Sequence, residues 1–316
     1  KEIATDFKAN NGWITYEDLY NFPEPKEYKP LQTDYRGYDI YAFVPPGGGW
    51  QVIQALNLFE HYNAEDLKPY TYKRISAVLN VLNLSHNDRL DHPIDDYTNY
   101  KKEIKKKISK AYAKKLFNIK DELQIDQSSV DEDDTGETSH FSVVDKAGMA
   151  VSVTSSIGSY FGSRTSTKSL GFFYNSYIKS LLGFGLGKKL HPNAIIPSSM
   201  SPSLVKKDGR NVLVIGTPGS KRIVSTISQL VQLCIDSDMS IKDIVQQPRF
   251  HAIRNKAYIE NTQITAQELQ KIRNEGYEIS FPSYSLTKGN LNAYFGGVHA
   301  IEFKNNQWEG VADNRR

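Results

Sequence analysis

Apolar and polar positions alternate along the chain in patterns that predict its elements. The first residues read as the end of a helix that runs into a turn at Gly12. Thr15, with Asp18 three residues later, has the spacing of a capping box and predicts a helix over 14–20. Tyr38 to Val44 alternates in β-forming residues and predicts a strand. Pro45-Pro46-Gly47-Gly48-Gly49 breaks it, and Gln51 to His61 resumes as an apolar-periodic helix, with another buried helix over 73–83. Past residue 137 the period shortens. Phe141-Ser142-Val143-Val144 and Ala150-Val151-Ser152-Val153-Thr154 flank a turn and predict a hairpin. Ser203 to Val205 and Asn211 to Ile215, around Lys207-Asp208-Gly209-Arg210, predict a second. A helix without Gly or Pro follows, from Ile223 to Asp236. Ser240 with Asp243, and Thr265 with Glu268 and a closing Gly276, mark two more helices. Val298 to Phe303 and Trp308 to Ala312 turn at Asn305-Asn306 as a last hairpin.

Charge changes the picture only in the middle. Lys101 to Lys120 holds nine lysines, with Ile104, Ile108, Ala111 and Leu116 on one helical face. That pattern reads as a solvated face over a core stripe, although a basic amphipathic helix can also meet anionic partners. Asp121 to Glu137 holds eight acidic residues and no basic one, and reads as a solvated linker. Its Asp131-Glu132-Asp133-Asp134 run lacks the alternating spacing of a calcium loop.

The 316 residues carry a net charge of +3, which gives no footprint for nucleic acid. No stretch approaches the roughly 20 apolar residues of a membrane helix. A single cysteine, Cys234, cannot form an internal disulfide and reads as a buried thiol. The seven histidines form no HExxH pair, and neither a G-x-S-x-G elbow nor a Walker sequence is present. Gly47-Gly48-Gly49 is a weak phosphate-loop candidate and reads better as a turn. No cofactor and no metal site is implied.

One junction carries candidate chemistry. At Gly136-Glu137-Thr138-Ser139-His140 an acidic loop ends and a strand begins. A hydroxyl residue in that position suits an N-terminal nucleophile, released by self-cleavage between Glu137 and Thr138. The freed α-amine, with an ordinary pKa of about 7.7 to 8.0, then serves as base for its own hydroxyl.

Several runs resemble the γ-glutamyltranspeptidase family: Thr138 to Lys146, Ser198 to Ser203, Gly216 to Ile223 and Pro248-Arg249-Phe250-His251. Upstream, Thr15 to Leu19, Tyr35 to Tyr38 and Leu56 to Leu58 resemble the later part of the family's large subunit. The resemblance implies an α+β fold, a four-layer αββα sandwich of the N-terminal nucleophile hydrolase type. It implies that 1–137 is the C-terminal part of a large subunit, ending in the acidic linker 121–137, and that 138–316 is the small subunit. The two pair after cleavage as one domain, with sheet strands, a carboxylate-gripping Arg and any signal region expected before Lys1. An extracellular or cell-surface location is the family's implication.

The roles carry over by position. Thr138 becomes the nucleophile, and Ser156 stands where a second Thr supports it. Gly219 and Ser220 stand at the Gly-Gly pair that donates N–H groups to the oxyanion. Ser198 and Ser199 match the serines that bind the glutamyl α-carboxylate. Gly158 stands where the family places an Asn, and Tyr177 and Ser180 replace the Gln and Asp that hold the α-amino group, with Lys179 beside that position. Losing that charge-assisted bond costs about 1.5 to 3 kcal/mol and disfavours glutathione-like substrates with a free amine. Tyr294 to Val298 and the ending Ala312 to Arg316 resemble the capsule-depolymerase branch, which acts on poly-γ-glutamate. There Arg222 and Arg316 stand where Arg side chains bind polymer carboxylates. The readings left open are a γ-glutamyl hydrolase or transpeptidase acting on a peptide or polymer, an amide acylase of the family with a non-glutamyl acyl group, and an uncleaved, catalytically silent binding protein.

Overall fold

In the computed structural model, the structure describes residues 1–94, 97, 99–120, 136–167, 169–179, 195–260, 264–282 and 291–316. Most of the acidic linker and Ser180 lie outside the described residues.

The N-terminal helices form as their caps predict. Helix α1 (Glu2–Ala9) ends before Gly12, and α2 (Tyr16–Tyr20) begins on the Thr15–Asp18 capping box. Strands β1 (Leu31–Tyr35) and β2 (Tyr38–Ala42) form a hairpin, of which the sequence pattern predicted only the second arm. Helix α3 (Gly49–Phe59) is buried along its whole length, and α4 (Tyr72–Asp91) runs eight residues beyond its predicted end. The lysine-rich stretch is two helices rather than one, α5 (Lys101–Lys107) and α6 (Lys110–Asn118). Ser109 causes the break: its Oγ accepts the Tyr112 N–H as an N-cap and donates to the Lys106 carbonyl. The turn shifts the apolar stripe. Ile104, Ala113 and Leu116 are buried, Ile108 is half-buried and Ala111 is exposed. Lys107 is buried too, with its Nζ 2.8 Å from the Asp88 carboxylate.

Strands β3 (Gly136–Val144) and β4 (Ala150–Ser159) pair as the first predicted hairpin. Strands β5 (Ser203–Lys207) and β6 (Arg210–Gly216) form the second, closed by positive φ at Asp208 and Gly209. Helix α7 (Arg222–Asp236) and the short α8 (Ile241–Val245) follow. Strands β7 (Phe250–Ile253), β8 (Lys256–Ile259) and β9 (Glu278–Ser280) make a separate three-stranded sheet, unpredicted because each is so short. Helix α9 (Ala266–Asn274) starts on the Thr265–Glu268 capping box. Strands β10 (His299–Lys304) and β11 (Gln307–Ala312) close the chain, turning through positive φ at Asn305 and Asn306.

The main sheet has six strands in the order β1-β2-β5-β6-β10-β11, so strands from both sides of residue 138 share it. Helices α3 and α7 pack on one face. Leu213 and Ile215 point into that core with Val52, Leu56, Ile223 and Ile227. Val214, one residue out of phase, is buried on the opposite face, where the β3–β4 hairpin lies across β6 and β10. The hairpin's polarity is inverted. Thr138, His140, Ser142 and Ser152 face the main sheet, and Ser152 Oγ donates to the Ile215 carbonyl at 3.1 Å. Phe141, Val143 and Val151 on the outer face are exposed. The described residues therefore build a helix layer, the main sheet and one hairpin of a second sheet, and among them no helix covers the outer face of that hairpin.

Among the described residues no helix is long and apolar enough to cross a membrane. Cys234 lies in α7, where burial and then the Glu302 charge push its thiol pKa up.

Candidate active site

Thr138 sits in β3 beside a β-bulge. Glu137 pairs with Gly158 and Thr138 with Ser156, so Ile157 is the extra residue on β4. A bulge bends the strand and re-aims side chains, and here it brings two hydroxyls together. Thr138, only 7% exposed, donates from Oγ1 to Ser156 Oγ at 3.0 Å. Ser156 Oγ in turn donates to the Glu137 carbonyl at 2.9 Å and accepts the Gly158 N–H at 3.1 Å. One serine hydroxyl thus bridges the candidate nucleophile and the carbonyl of the peptide bond just before it.

His140, two residues along the same face, has its ring nitrogens 2.8 Å from Thr154 Oγ1 and 3.0 Å from Ser142 Oγ. The imidazole fills the space where a Cβ on Gly216 would stand, so it seats the hairpin on the end of β6. Burial, and then the neighbouring His299, lower its pKa to about 4, and it is neutral near pH 7.

Gly158 has φ +91°, and a Cβ there would lie 2.5 Å from Ser176 Oγ. Ser176 is locked to the same strand by its N–H to the Ile157 carbonyl and by its Oγ, which accepts the Ser159 N–H. A side chain at 158 would have to displace the Ser176 hydroxyl and adopt a strained positive φ. Tyr177 follows, half-buried, with its hydroxyl 3.9 Å from Met200 Sδ. Lys179 is exposed.

The Tyr177 contact leads to the serine pair. Ser198 and Ser199 lie in an extended loop pressed onto the Pro45 to Gly49 turn. The Ser198 N–H donates to the Pro46 carbonyl and the Gly48 N–H to the Met200 carbonyl, each at 2.9 Å. A Cβ on Gly48 would lie 2.9 Å from the Ser199 carbonyl, so the glycines serve close backbone approach. This assigns the turn a packing role instead of the weak phosphate-loop alternative.

Gly219 and Ser220 occupy the turn after β6, between that strand and α7. Gly219 has φ +140° and Ser220 φ +52°, a left-handed conformation that favours Gly over Ser. The 293–297 segment backs this turn: the Gly297 N–H donates to Thr217 Oγ1 at 3.0 Å, and Gly296 abuts Gly219. Arg222, 6% exposed, begins α7 with its Nε donating to the Tyr294 carbonyl at 3.2 Å. Its guanidinium lies 4.4 Å above the Tyr294 ring. Arg316 is exposed, and its stem lies against Gly297. The structure therefore places both arginines against the 293–297 segment behind the Gly219–Ser220 turn, Arg222 inward and Arg316 outward.

Sequence reasoning passed over a buried ion cluster under that segment. Arg249, Glu260, Asp313 and Arg315 are each at most 4% exposed. Arg315 donates to both Glu260 oxygens, at 2.8 and 2.5 Å, and to Asp313 at 3.1 Å. Arg249 donates to the other Asp313 oxygen at 2.5 Å and to the Phe295 carbonyl at 3.0 Å. Burial pushes the Asp313 carboxyl pKa up, but the two guanidinium charges and backbone N–H bonds outweigh it and hold it below the usual range. The runs holding Arg249 and Arg315 were visible in the sequence, but adjacent arginines at 315 and 316 carry no mark of which is inside. Among the described residues no group of three or more His, Cys, Asp or Glu side chains could hold a metal.

The profile of the family described as gamma-glutamyltranspeptidase matches residues 1–316. The glutathione hydrolase proenzyme of Escherichia coli K12 is 32% identical over 276 residues, 79% of this chain and 46% of the relative. The capsule biosynthesis protein CapD proenzyme of Bacillus anthracis is 27% identical over 306 residues, 96% of this chain and 54% of the relative. The chain thus spans about half the length of these curated relatives. Among solved structures, a cephalosporin acylase from Bacillus halodurans superposes with a TM-score of 0.80 over 99% of this chain and 56% of its own. At 18% identity that likeness speaks to the fold alone, an α+β architecture shared over nearly the whole chain.

Proposed function

The chain belongs to the γ-glutamyltranspeptidase family, and we propose that it is a self-cleaving γ-glutamyl hydrolase or transferase with Thr138 as its nucleophile. The observation that carries this reading is the relay from Thr138 Oγ1 through Ser156 Oγ to the Glu137 carbonyl. Thr138 Oγ attacks the Glu137 carbonyl carbon, the bond to the Thr138 nitrogen breaks, and that nitrogen takes a proton. The resulting ester is hydrolysed by water, which leaves a Glu137 carboxylate and a free Thr138 α-amine. Residues 1–137 and 138–316 then act as paired subunits, consistent with their shared main sheet.

In the mature site the α-amine takes the proton of Thr138 Oγ as that oxygen attacks the γ-amide carbon. The Gly219 and Ser220 N–H groups stabilise the oxyanion, the amine leaves with a proton, and the acyl ester passes to water or to an acceptor amine. Ser156, which already bonds Thr138, holds the nucleophile.

The substrate we favour is poly-γ-glutamate. Each internal unit of that polymer keeps its α-carboxylate, but its α-amine is tied up in an amide. A site with a serine pair for the carboxylate, and with Tyr177 and Ser180 where the family has the Gln and Asp that hold an α-amine, fits such a unit better than glutathione, whose α-amine is free. Arg316 stands exposed where a further carboxylate of a polyanion can meet it. The changes at Gly158, Tyr177 and Ser180 also support a second reading, an acylase whose acyl group carries no ammonium.

The test is intact mass and denaturing electrophoresis of the wild type and Thr138→Ala, followed by assay on poly-γ-glutamate and a γ-glutamyl anilide. Division between Glu137 and Thr138, lost in the variant together with release of polymer fragments, is expected. A wild type that stays whole overturns the self-cleavage reading, and one that cleaves itself but leaves the polymer intact overturns the substrate.

A further inference from the structure

The serine pair has a feature that its sequence motif does not contain. Ser198 Oγ accepts the Met200 N–H at 3.2 Å. Ser199 Oγ lies 3.4 Å from Arg89 Nη1, which comes from the last turn of α4. Arg89 Nη2 lies 3.4 Å from the Ser198 carbonyl, and Nη1 also donates to Gln51 Oε1 of α3 at 2.5 Å. Gln51 is itself fixed, with its Nε2 bonded to the Ser85 carbonyl at 3.3 Å. Tyr97 bonds the same guanidinium.

A hydroxyl can accept and donate at once, and an N–H on its acceptor side leaves its own proton to be given elsewhere. Both serines are in that state. Each takes an N–H from the protein, and among the described residues neither donates to another protein group. Two hydroxyls preset as donors, with a positive charge behind one of them, match a carboxylate and mismatch a group that must donate.

We propose that Arg89 is a specificity-determining positioning residue: its guanidinium holds the Ser198–Ser199 loop and presets the Ser199 hydroxyl as a donor to the substrate carboxylate. Arg89 need not touch the substrate. It acts through Ser199 and through the loop backbone, and its permanent charge favours an anion at the pair. The inference rests on the assignment of the serine pair as the carboxylate site.

The test compares glutaryl anilide, which carries the carboxylate, with butyryl anilide, which lacks it. The ratio of their kcat/KM values is measured for the wild type, Ser198→Ala, Ser199→Ala, Arg89→Lys and Arg89→Gln. Melting temperatures are recorded beside them. The wild type is expected to favour glutaryl anilide. Arg89→Gln should cut that preference about 10- to 100-fold, as loss of one charge-assisted bond does, with Arg89→Lys in between. A purely structural Arg89 lowers both substrates together and leaves the ratio alone, which overturns the proposal. If the wild type has no preference, or turns over neither substrate, or if both serine variants keep the preference, the carboxylate assignment itself falls and the inference with it. If the serines matter and Arg89 does not, only the inference falls.

Discussion

Replacing Ser156 by Ala removes one hydroxyl that makes three hydrogen bonds, and the consequences can be separated. The bonds to Gly158 N–H, Thr138 Oγ1 and the Glu137 carbonyl measure 3.1, 3.0 and 2.9 Å. Ordinary net hydrogen bonds contribute about 1 kcal/mol each, so the folded protein should lose about 1 to 3 kcal/mol of stability. Self-cleavage should suffer more selectively. Two of the bonds touch reacting groups, and the one to the Glu137 carbonyl strengthens as that oxygen takes on negative charge. With a normal bond lost at Thr138 and a charge-assisted one at Glu137, about 3 kcal/mol of transition-state stabilisation disappears, or about 150-fold in rate. A time course on denaturing gels, with intact mass to locate the cut, measures it. Ser156→Thr keeps a hydroxyl on a strand residue and should restore most of the rate. If folded Ser156→Ala cleaves within about threefold of the wild type, the hydroxyl relay plays no part in the step.

The remaining predictions concern packing and charge. His140 has its folded pKa lowered to about 4 from 6.5, so its contribution to stability is complete above pH 6.5 and is lost as pH falls towards 4. Melting temperatures of the wild type and His140→Asn across that window should converge at the acid end, and parallel curves refute the assignment. Arg315→Ala leaves Glu260 buried without its guanidinium partner and Asp313 with Arg249 alone, and should cost about 3 to 5 kcal/mol in chemical denaturation. Replacing Arg315 and Glu260 together by Leu should cost less than Arg315→Ala alone, and a larger loss would show that the pairing is not what matters. Gly158→Asn forces a side chain at φ +91° against Ser176 Oγ and should lower the melting temperature. Adding Ser176→Gly should return part of that loss, and full additivity of the two changes would argue against the contact.

Local chemistry was legible wherever it decides structure locally. The Thr15–Asp18 and Thr265–Glu268 boxes form as their spacing requires, because each is complete within four residues. Asp208-Gly209 and Asn305-Asn306 turn where their tolerance of positive φ predicts. The serine and glycine runs of the candidate site were also legible, through their resemblance to a family. The lysine-rich stretch shows where such reading stops. Its apolar spacing suits a single helix, but the Ser109 cap splits it and carries Lys107 inward to Asp88. A side-chain oxygen competing for backbone N–H groups is a local cause, yet its outcome depends on a carboxylate of another helix to receive the buried lysine.

The sequence by itself determined most of the elements, with their caps and turns, and the family that the chain belongs to. It could not determine which polar groups face inward. The inner face of the β3–β4 hairpin is polar because it meets another sheet through hydroxyls and an imidazole, while its apolar face is exposed. Of two adjacent arginines, Arg315 is buried because Glu260 and Asp313 converge on it from distant segments, and Arg316 is left outside. Arg89 reaches Ser199 from 110 residues away. Burial of a charge is favourable only when partners from elsewhere in the chain desolvate with it and bond to it, and tertiary structure alone brings those partners together.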